Sequence, residues 1–501
     1  MEFFSNLSLG FETALTLQNL GFAFIGVLIG TLVGVLPGLG PTATVAMLLP
    51  VTFALPPLTG LIMLAGIYYG AQYGGSTTSI LVNIPGEVAS VVTCIDGYEM
   101  AKQGRGGVAL ATAALGSFFA GTVGTLLIAA FAPMLAKVAF SFGPPEYFSL
   151  MVLGLVGAIV LASGSMAKAF AMTVLGMVIG LIGTDVNSGK LRYTLGSEHF
   201  YDGIDMLVVA MGLFALVEVA RNVESREKRE VFTNAITSLW PSRADFRRMI
   251  PPILRGTGLG SLLGLLPGGG AALASFIAYA VEKKSSRNSA EFGRGAIEGV
   301  AAPEAANNAG AQTAFIPLLT LGIPPTALMA LLLGAMTVHD IQPGPQVMTS
   351  NPTLFWGLIA SMWIGNAMLV ILNLPLVGIW VKLLTVPYRL LYPAILLFCC
   401  VGVYSVENNT FDVMLMAVFG LVGYVFYRLG CEPAPLILGF VLGPLVEENF
   451  RRSLVLARGD FTVFLTRPLS LALLVMAAIA VVVVLAPAIK RKREIAFQEE
   501  T

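Results

Sequence analysis

Two stretches of this chain bring small polar side chains up to an Ile-Pro step. In the first, Ser76, Thr77, Thr78, Ser79 and Asn83 precede Ile84-Pro85-Gly86. In the second, Asn307, Asn308, Gln312, Thr313 and Thr320 precede Gly322-Ile323-Pro324-Pro325. Hydroxyls, amides and the backbone N–H groups freed at a half-helix N-terminus can hold a carboxylate. Freed carbonyls and helix C-terminal ends suit Na⁺ or a proton carrier. No Lys or Arg occurs in 68–86 or 299–325, so a carboxylate held there would meet neutral donors. The substrate-binding candidates are Ser76, Thr77, Thr78, Asn83 and Gly86, facing Asn307, Asn308, Thr320 and Gly322 near the membrane midplane. Small residues also serve as close contacts between membrane helices, and a hydroxyl can bond back to its own helix. Taken singly, each residue fits that reading; recurrence of the whole set beside Pro/Gly breaks favours a site.

Acidic residues need the same weighing. Glu298 and Glu304 lie in EGVAAPEAANNAG, and Glu87 and Asp96 follow the first break. A carboxylate at membrane depth is costly unless paired or hydrated, which makes each a functional candidate. Glu298 also fits an interface position behind a charged loop, and Glu304 is open between an ion-coupling group and a structural cap. His199 and His339 are the two histidines, far apart and without an HExxH pattern, so no metal site is expected. Gly189-Lys190 is followed by Leu191 and lacks the upstream glycine of a phosphate loop. Neither a GxSxG elbow nor a Cys/His pairing suggests a hydrolase. The chain is expected not to be an enzyme and to need no cofactor beyond a coupling ion, Na⁺ or H⁺.

The elements that must position these residues announce themselves as broken helices. Residues 32–40 read LVGVLPGLG and residues 262–270 read LLGLLPGGG, a register of 230 residues (262 minus 32). Gly34, Leu36, Pro37, Gly38 and Gly40 thus recur as Gly264, Leu266, Pro267, Gly268 and Gly270. The Ile-Pro steps repeat at 239 residues, and Asp96 and Asp340, each before a Gly-containing loop, at 244, as loop insertions would produce. Gly38, Gly40, Gly268, Gly270, Pro85 and Pro324 are therefore the helix-break candidates. Two copies are expected near 17–130 and 250–370; spacing leaves parallel and inverted arrangements both open. Repeated Pro/Gly interruptions in apolar sequence point to a transporter.

Bulk composition agrees. The chain has 501 residues, 56% hydrophobic and 12% charged, with mean hydropathy +0.83. Soluble domains carry about 25% charged residues, so a polytopic, all-α membrane protein is expected, with roughly 11 to 13 segments of which short ones are broken or re-entrant. Apolar pieces run at about 17–36, 41–57, 60–70 and 77–85, then near 107–132, 144–162, 166–184 and 204–220. In the second half they run near 299–320, 326–337, 354–384, 391–405, 411–428, 434–446 and 469–489. The division expected is a first membrane half at 1–220, a polar cytoplasmic connector at 221–248, a second membrane half at 249–489 and a basic tail at 490–501. Zero net charge argues against nucleic acid, and Lys490–Arg493 reads as a topology anchor in the lipid bilayer. Residues 1–101 lack Lys and Arg, while Arg221, Arg226, Lys228, Arg229, Arg243, Arg247 and Arg248 crowd the connector. The connector and C-terminus are therefore expected inside, the N-terminus outside. Residues 1–16 lack the basic start of a cleavable signal peptide. Cys94, Cys399, Cys400 and Cys431 form no CxxC pair and read as core residues.

Several segments together resemble the large membrane subunit of the tripartite tricarboxylate transporters, the TctA family. They are GVLPGLGPTATVAMLLP (34–50), YYGAQYGGSTTSILVNIPGE (68–87), DGYEMAKQGRGGVAL (96–110), FGRGAIEGVAAPEAANNAGAQTAFIPLLTLGIP (292–324) and HDIQPGPQVM (339–348). Gln312-Thr313 stands where a smaller pair is usual, and Pro325 replaces the glycine of the usual Ile-Pro-Gly. The resemblance implies an ion-coupled secondary importer of small organic carboxylates, such as tricarboxylates, in the bacterial inner membrane. It implies as partners a small four-span membrane subunit (TctB-like) and a periplasmic solute-binding protein (TctC-like). It also implies inverted repeats, moving as an elevator by analogy with the related TRAP transporters. The alternatives are a passive anion channel, a secondary transporter without a binding protein, and an intramembrane enzyme. A channel usually needs charge rings or a carbonyl filter from several subunits, whereas one chain with its own duplicated site fits a transporter better.

Overall fold

The computed structural model describes residues 2–36, 40–83, 85–139, 141–162, 165–185, 188–224, 239–266, 270–383 and 392–485. Helix accounts for 81% of the described residues. In the first half, α1 (Glu2–Ala14) and α2 (Leu17–Val35) lead to the first elbow, and α3 (Pro41–Thr52), α4 (Pro57–Val82), α5 (Val91–Met100) and α6 (Gly106–Ala139) follow it. Beyond them come α7 (Pro144–Leu161), α8 (Met166–Gly180), the short antiparallel pair β1 (Gly183–Thr184) and β2 (Leu191–Arg192), α9 (Met206–Ala210) and α10 (Val217–Glu224). The second half opens with α11 (Arg243–Leu263), α12 (Gly270–Ser285), α13 (Glu298–Thr313), α14 (Phe315–Leu321) and α15 (Ala327–Val338). It closes with α16 (Val347–Ser350), α17 (Pro352–Asn373), α18 (Val377–Leu383), α19 (Tyr392–Glu407), α20 (Thr410–Arg428), α21 (Pro433–Leu456), α22 (Val463–Thr466) and α23 (Pro468–Leu485). Pro41, Pro57, Pro144, Pro352 and Pro433 each open a helix, where their fixed φ is already helical and the missing N–H costs nothing.

Among the described residues, the helical stretches Leu17–Val35, Val88–Lys137, Pro352–Asn373 and Thr410–Arg428 are long and apolar enough to cross a membrane. Shorter apolar helices such as α3 and α15 cannot span alone. On α20 and α23, Met414, Leu421 and Val482 are 67–69% exposed, an apolar belt that suits lipid and not water. This is an all-α, multi-pass membrane fold.

One kind of helix crossing occurs twice. A Cβ at Gly26, Gly30 or Gly34 of α2 would strike the carbonyl oxygens of Met63, Ile67 and Ala71 on α4. A Cβ at Gly256, Gly260 or Gly264 of α11 would strike those of Ala302, Ala306 and Gly310 on α13. Small residues every fourth position let two backbones touch. The two glycine rows lie 230 residues apart and their partners 239 apart, the offsets read from the elbows and the Ile-Pro steps. The long helices are then exchanged. The first half's α6 packs against α13 and α11, and the second half's α17 packs against α4 and α2. One apolar core runs through both halves, including Ile67, Ile80, Phe315, Met329 and Trp356.

Some expectations need correcting. The pieces at 60–70 and 77–85 are one helix, α4, because Gly74 and Gly75 lie against Thr31 O and the Glu87 and Ser90 side chains instead of breaking the helix. The N-terminal α1 was not anticipated; it packs along α17, with Phe11 stacked on Trp363. Cys399 is buried, but Cys400 is exposed, so the four cysteines are not uniformly core. Asp96 is buried whereas Asp340 is exposed at the end of α15, so the two do not play comparable roles. Of the connector at 221–248, residues 225–238, with Arg226, Lys228 and Arg229, lie outside the described residues, as does the tail with Lys490–Arg493, while Arg243, Arg247 and Arg248 fall in α11.

Candidate functional site

Both helix breaks have one shape. Helix α4 ends in Asn83, left-handed at φ 58° and ψ 26°, and the chain re-enters helix after Glu87, extended at φ −152° and ψ 164°. Helix α14 ends in Gly322, left-handed at φ 70° and ψ 22°, and re-enters after Thr326, extended at φ −138° and ψ 163°. Asn83 and Gly322, like Glu87 and Thr326, are 239 residues apart. Glycine is the usual left-handed cap, and asparagine is among the few other residues that accept it. Thr326 Oγ1 accepts the Met329 N–H at 3.2 Å, and at the first break Ser90 Oγ donates to Glu87 O at 2.9 Å. Pro85 and Pro324 stop each helix from continuing. Ile84, Gly38 and Gly268 lie outside the described residues; Gly40 precedes α3 in extended backbone and Gly270 opens α12 at φ 49°.

The polar residues meet between α4, α5 and α13. Glu304, fully buried in mid-helix, accepts from Ser76 Oγ at 2.5 Å and from Thr93 Oγ1. It is therefore no helix cap. One turn on, Asn307 Nδ2 donates to Glu87 Oε1 at 3.2 Å, and Asn307 Oδ1 is buried without a donor. Asn308 Nδ2 donates to Ser117 Oγ of α6 at 2.6 Å and to Glu304 O at 3.1 Å. Tyr73 donates to Asn366 Oδ1 of α17 at 2.7 Å, and Asn366 Nδ2 donates to Phe118 O of α6 at 2.9 Å. Ser76, Thr77, Tyr73, Ser117 and Asn373 line a cavity of about 10 Å³, room for about one water molecule.

Other candidates are turned elsewhere. Thr78 Oγ1 donates to backbone oxygens, Gly75 O at 3.0 Å and Gly34 O at 3.2 Å, and so ties α4 to α2. Asn83 is exposed at its cap, and Pro85 and the buried Gly86 continue from it. Thr320 Oγ1 bonds back to Ile316 O at 2.7 Å. Gly322 sits beside Pro343, and Ile323, next to Pro324, packs with Met151, Leu155 and Leu442. Of the proposed facing groups, the structure brings together Ser76, Thr77, Asn307 and Asn308; among the described residues no hydrogen bond joins Thr320 to them.

Two further carboxylates are spoken for. Asp96 Oδ1 accepts the backbone N–H groups of Gly293 (2.8 Å), Gly295 (2.9 Å) and Ala296 (2.8 Å), and Tyr279 donates to its Oδ2 at 2.9 Å. Glu298 takes a two-pronged bond from Arg248, Nε to Oε1 at 2.9 Å and Nη2 to Oε2 at 2.8 Å. Sequence reasoning missed Thr93 and Ser117. Thr93 stands three residues before Asp96 in VVTCIDGYEM, one helical turn away, which was the available signal. Ser117 is one of four hydroxyls in the apolar run 107–132, with Thr112, Thr122 and Thr125, and nothing set it apart.

Fold and breaks together define a polytopic all-α membrane protein with buried polar groups at interrupted helices. The chain belongs to the tripartite tricarboxylate transporter TctA family, which it matches over residues 20–438. It is 58% identical, over the full length of both chains, to an uncharacterized 52.8 kDa protein in the TAR-I ttuC' 3' region of Agrobacterium vitis. It is 61% identical over 241 residues, 48% of this chain and all of the relative, to an uncharacterized protein in the TAR-II ttuC' 3' region of the same organism. No solved structure matches.

Proposed function

We propose that this chain is the large translocating subunit of an ion-coupled importer of small organic carboxylates in the bacterial inner membrane. Its partners would be a small four-span membrane subunit and a periplasmic solute-binding protein. The observation that carries the reading is the double occurrence of the break, left-handed cap, Ile-Pro, extended re-entry, each following a glycine-lined crossing. Two such units with exchanged long helices are what a duplicated transporter core would look like, and we take them as inverted repeats. The division into two membrane halves joined by a cytoplasmic connector follows from the same reading. Substrate would enter at the small cavity lined by Ser76, Thr77 and Ser117, the last held by Asn308, and the cavity must widen to take a carboxylate. The hydroxyl and amide donors there bind an anion without a fixed cation, and so let it go again.

The test is reconstitution. The chain alone in liposomes should take up labelled carboxylate poorly; adding the small subunit and loaded binding protein should restore uptake that saturates and collapses with an ionophore. Full-rate uptake of free substrate by the chain alone would overturn the tripartite reading. Uptake that neither saturates nor responds to the ionophore would favour a channel.

A further inference from the structure

Glu87 and Glu304 carry two formal negative charges into one buried cluster. Helices α4, α5 and α13, which build it, contain no Lys, Arg or His. The cations of neighbouring elements are engaged or distant. Arg248 is bonded to Glu298 and Glu291, and Arg255 to Glu282. Lys283 and Lys284 lie in the last turn of α12, and Lys137 in the last turn of α6. Among the described residues neither Glu87 nor Glu304 has an ion-pair partner within 4.0 Å. Buried charge of one sign calls for a counter-charge.

A second observation points to its kind. Asn307 sits one turn from Glu304 and hands its N–H₂ to Glu87, which leaves Oδ1 a fully buried acceptor with no donor. A carboxamide oxygen, two carboxylates and the hydroxyls of Ser76 and Thr93 form an all-oxygen set. Such a set suits a hard cation and offers nothing to a soft one. Glu87 is half-buried, while Glu304 is fully enclosed.

We infer that Glu87, Glu304 and Asn307 form a binding site for one alkali-metal cation, Na⁺, with Ser76 and Thr93 holding the Glu304 carboxylate in place. As a binding site this stands on its own; as the seat of the coupling ion it rests on the importer reading above. It also ties cation to substrate, because Ser76 both bonds Glu304 and lines the cavity.

The test uses the purified full-length chain in detergent at fixed pH, without substrate or partners. Thermal unfolding is followed against NaCl, KCl and choline chloride at constant ionic strength. Na⁺ should raise the midpoint saturably where choline does not. Glu304→Gln and Asn307→Ala should each raise the half-saturating Na⁺ concentration at least tenfold. If either unfolds in choline alone, Glu87→Gln and radioactive ²²Na⁺ binding to the wild-type chain decide instead. No difference between Na⁺ and choline, an Na⁺ response unchanged in the variants, or stability that follows pH alone would each overturn the site. Carboxylate uptake by the full complex with no Na⁺ binding would remove the site and leave the importer reading; Na⁺ binding with no uptake by the complex would do the reverse.

Discussion

Asp96 accepts the backbone N–H of Gly295 at 2.9 Å, and that bond fastens α5 of the first half to the loop from which α13 starts. Gly293 and Ala296 donate to the same oxygen, so a buried side chain of one half supplies the backbone partner of a glycine-bent loop in the other. A carboxylate that accepts several N–H bonds is strongly held, each worth about 1.5–3 kcal/mol. Asp96→Ala should therefore cost at least about 3 kcal/mol and Tyr279→Phe about 1.5 kcal/mol. Chemical unfolding in detergent would show the order; equal, small effects would mean that the loop is held by other contacts.

The glycine crossings make a paired prediction. Gly260→Ala and Gly30→Ala insert a methyl into a neighbouring backbone and should destabilise by about 1–3 kcal/mol. Gly258→Ala and Gly21→Ala, on the same helices with open space around them, should be neutral or stabilise by up to about 1 kcal/mol. Similar thermal midpoints for both pairs would contradict the close approach.

Asp245 gives a pH dependence outside the apolar spans. It stands in the charged first turn of α11, where burial raises its carboxyl pKa but the Ser242 side chain and backbone and the Arg105 guanidinium hold it below the usual value. Arg105 reaches it at 2.6 Å, and the Ser242 N–H at 3.0 Å. A lowered folded-state pKa adds stability that is complete above the unfolded value, about 3.9, and disappears as pH falls through the folded one. At pH 7 Asp245→Asn should be about 1 kcal/mol less stable than wild type. The gap should close below about pH 4; a gap that persists at low pH would show that packing and not charge sets it.

Uptake by the assembled complex tests the cavity. Thr77→Ala, Asn307→Ala and Asn308→Ala each remove a polar group from the cluster between α4 and α13, and a hydrogen bond to a charged group is worth about 1.5–3 kcal/mol. At least two of the three should weaken apparent affinity about tenfold or more. Wild-type kinetics in all three, at normal membrane levels, would place the substrate elsewhere.

Much of the architecture was legible because Pro and Gly are unambiguous in an apolar chain. LPG and Ile-Pro marked both breaks, and the offsets of 230 and 239 residues reappear as matched contacts of Gly30 with Ile67 and Gly260 with Ala306. The continuity of α4 was hidden, since GAQYGGSTTS reads as a helix breaker until α2 is laid against its glycines. Site residues were found by type but not by partner. That Ser76 faces Glu304, 228 residues on, is a matter of helix packing, which local spacing does not encode. Ser117 was missed for the same reason, whereas Thr93 stood one turn from Asp96 and was passed over.

Where α2 meets α4 and α11 meets α13, three successive glycines bring backbone directly onto backbone. At those glycine contacts no side chain can yield by changing rotamer, so each pair is a stiff panel with little give of its own. The seams of Tyr73 with Asn366, Ser117 with Asn308 and Asp96 with its loop are held by polar bonds that water could replace one at a time. Any motion that widens the cavity must therefore shear along those wettable seams, and the panels travel or stay as whole pieces.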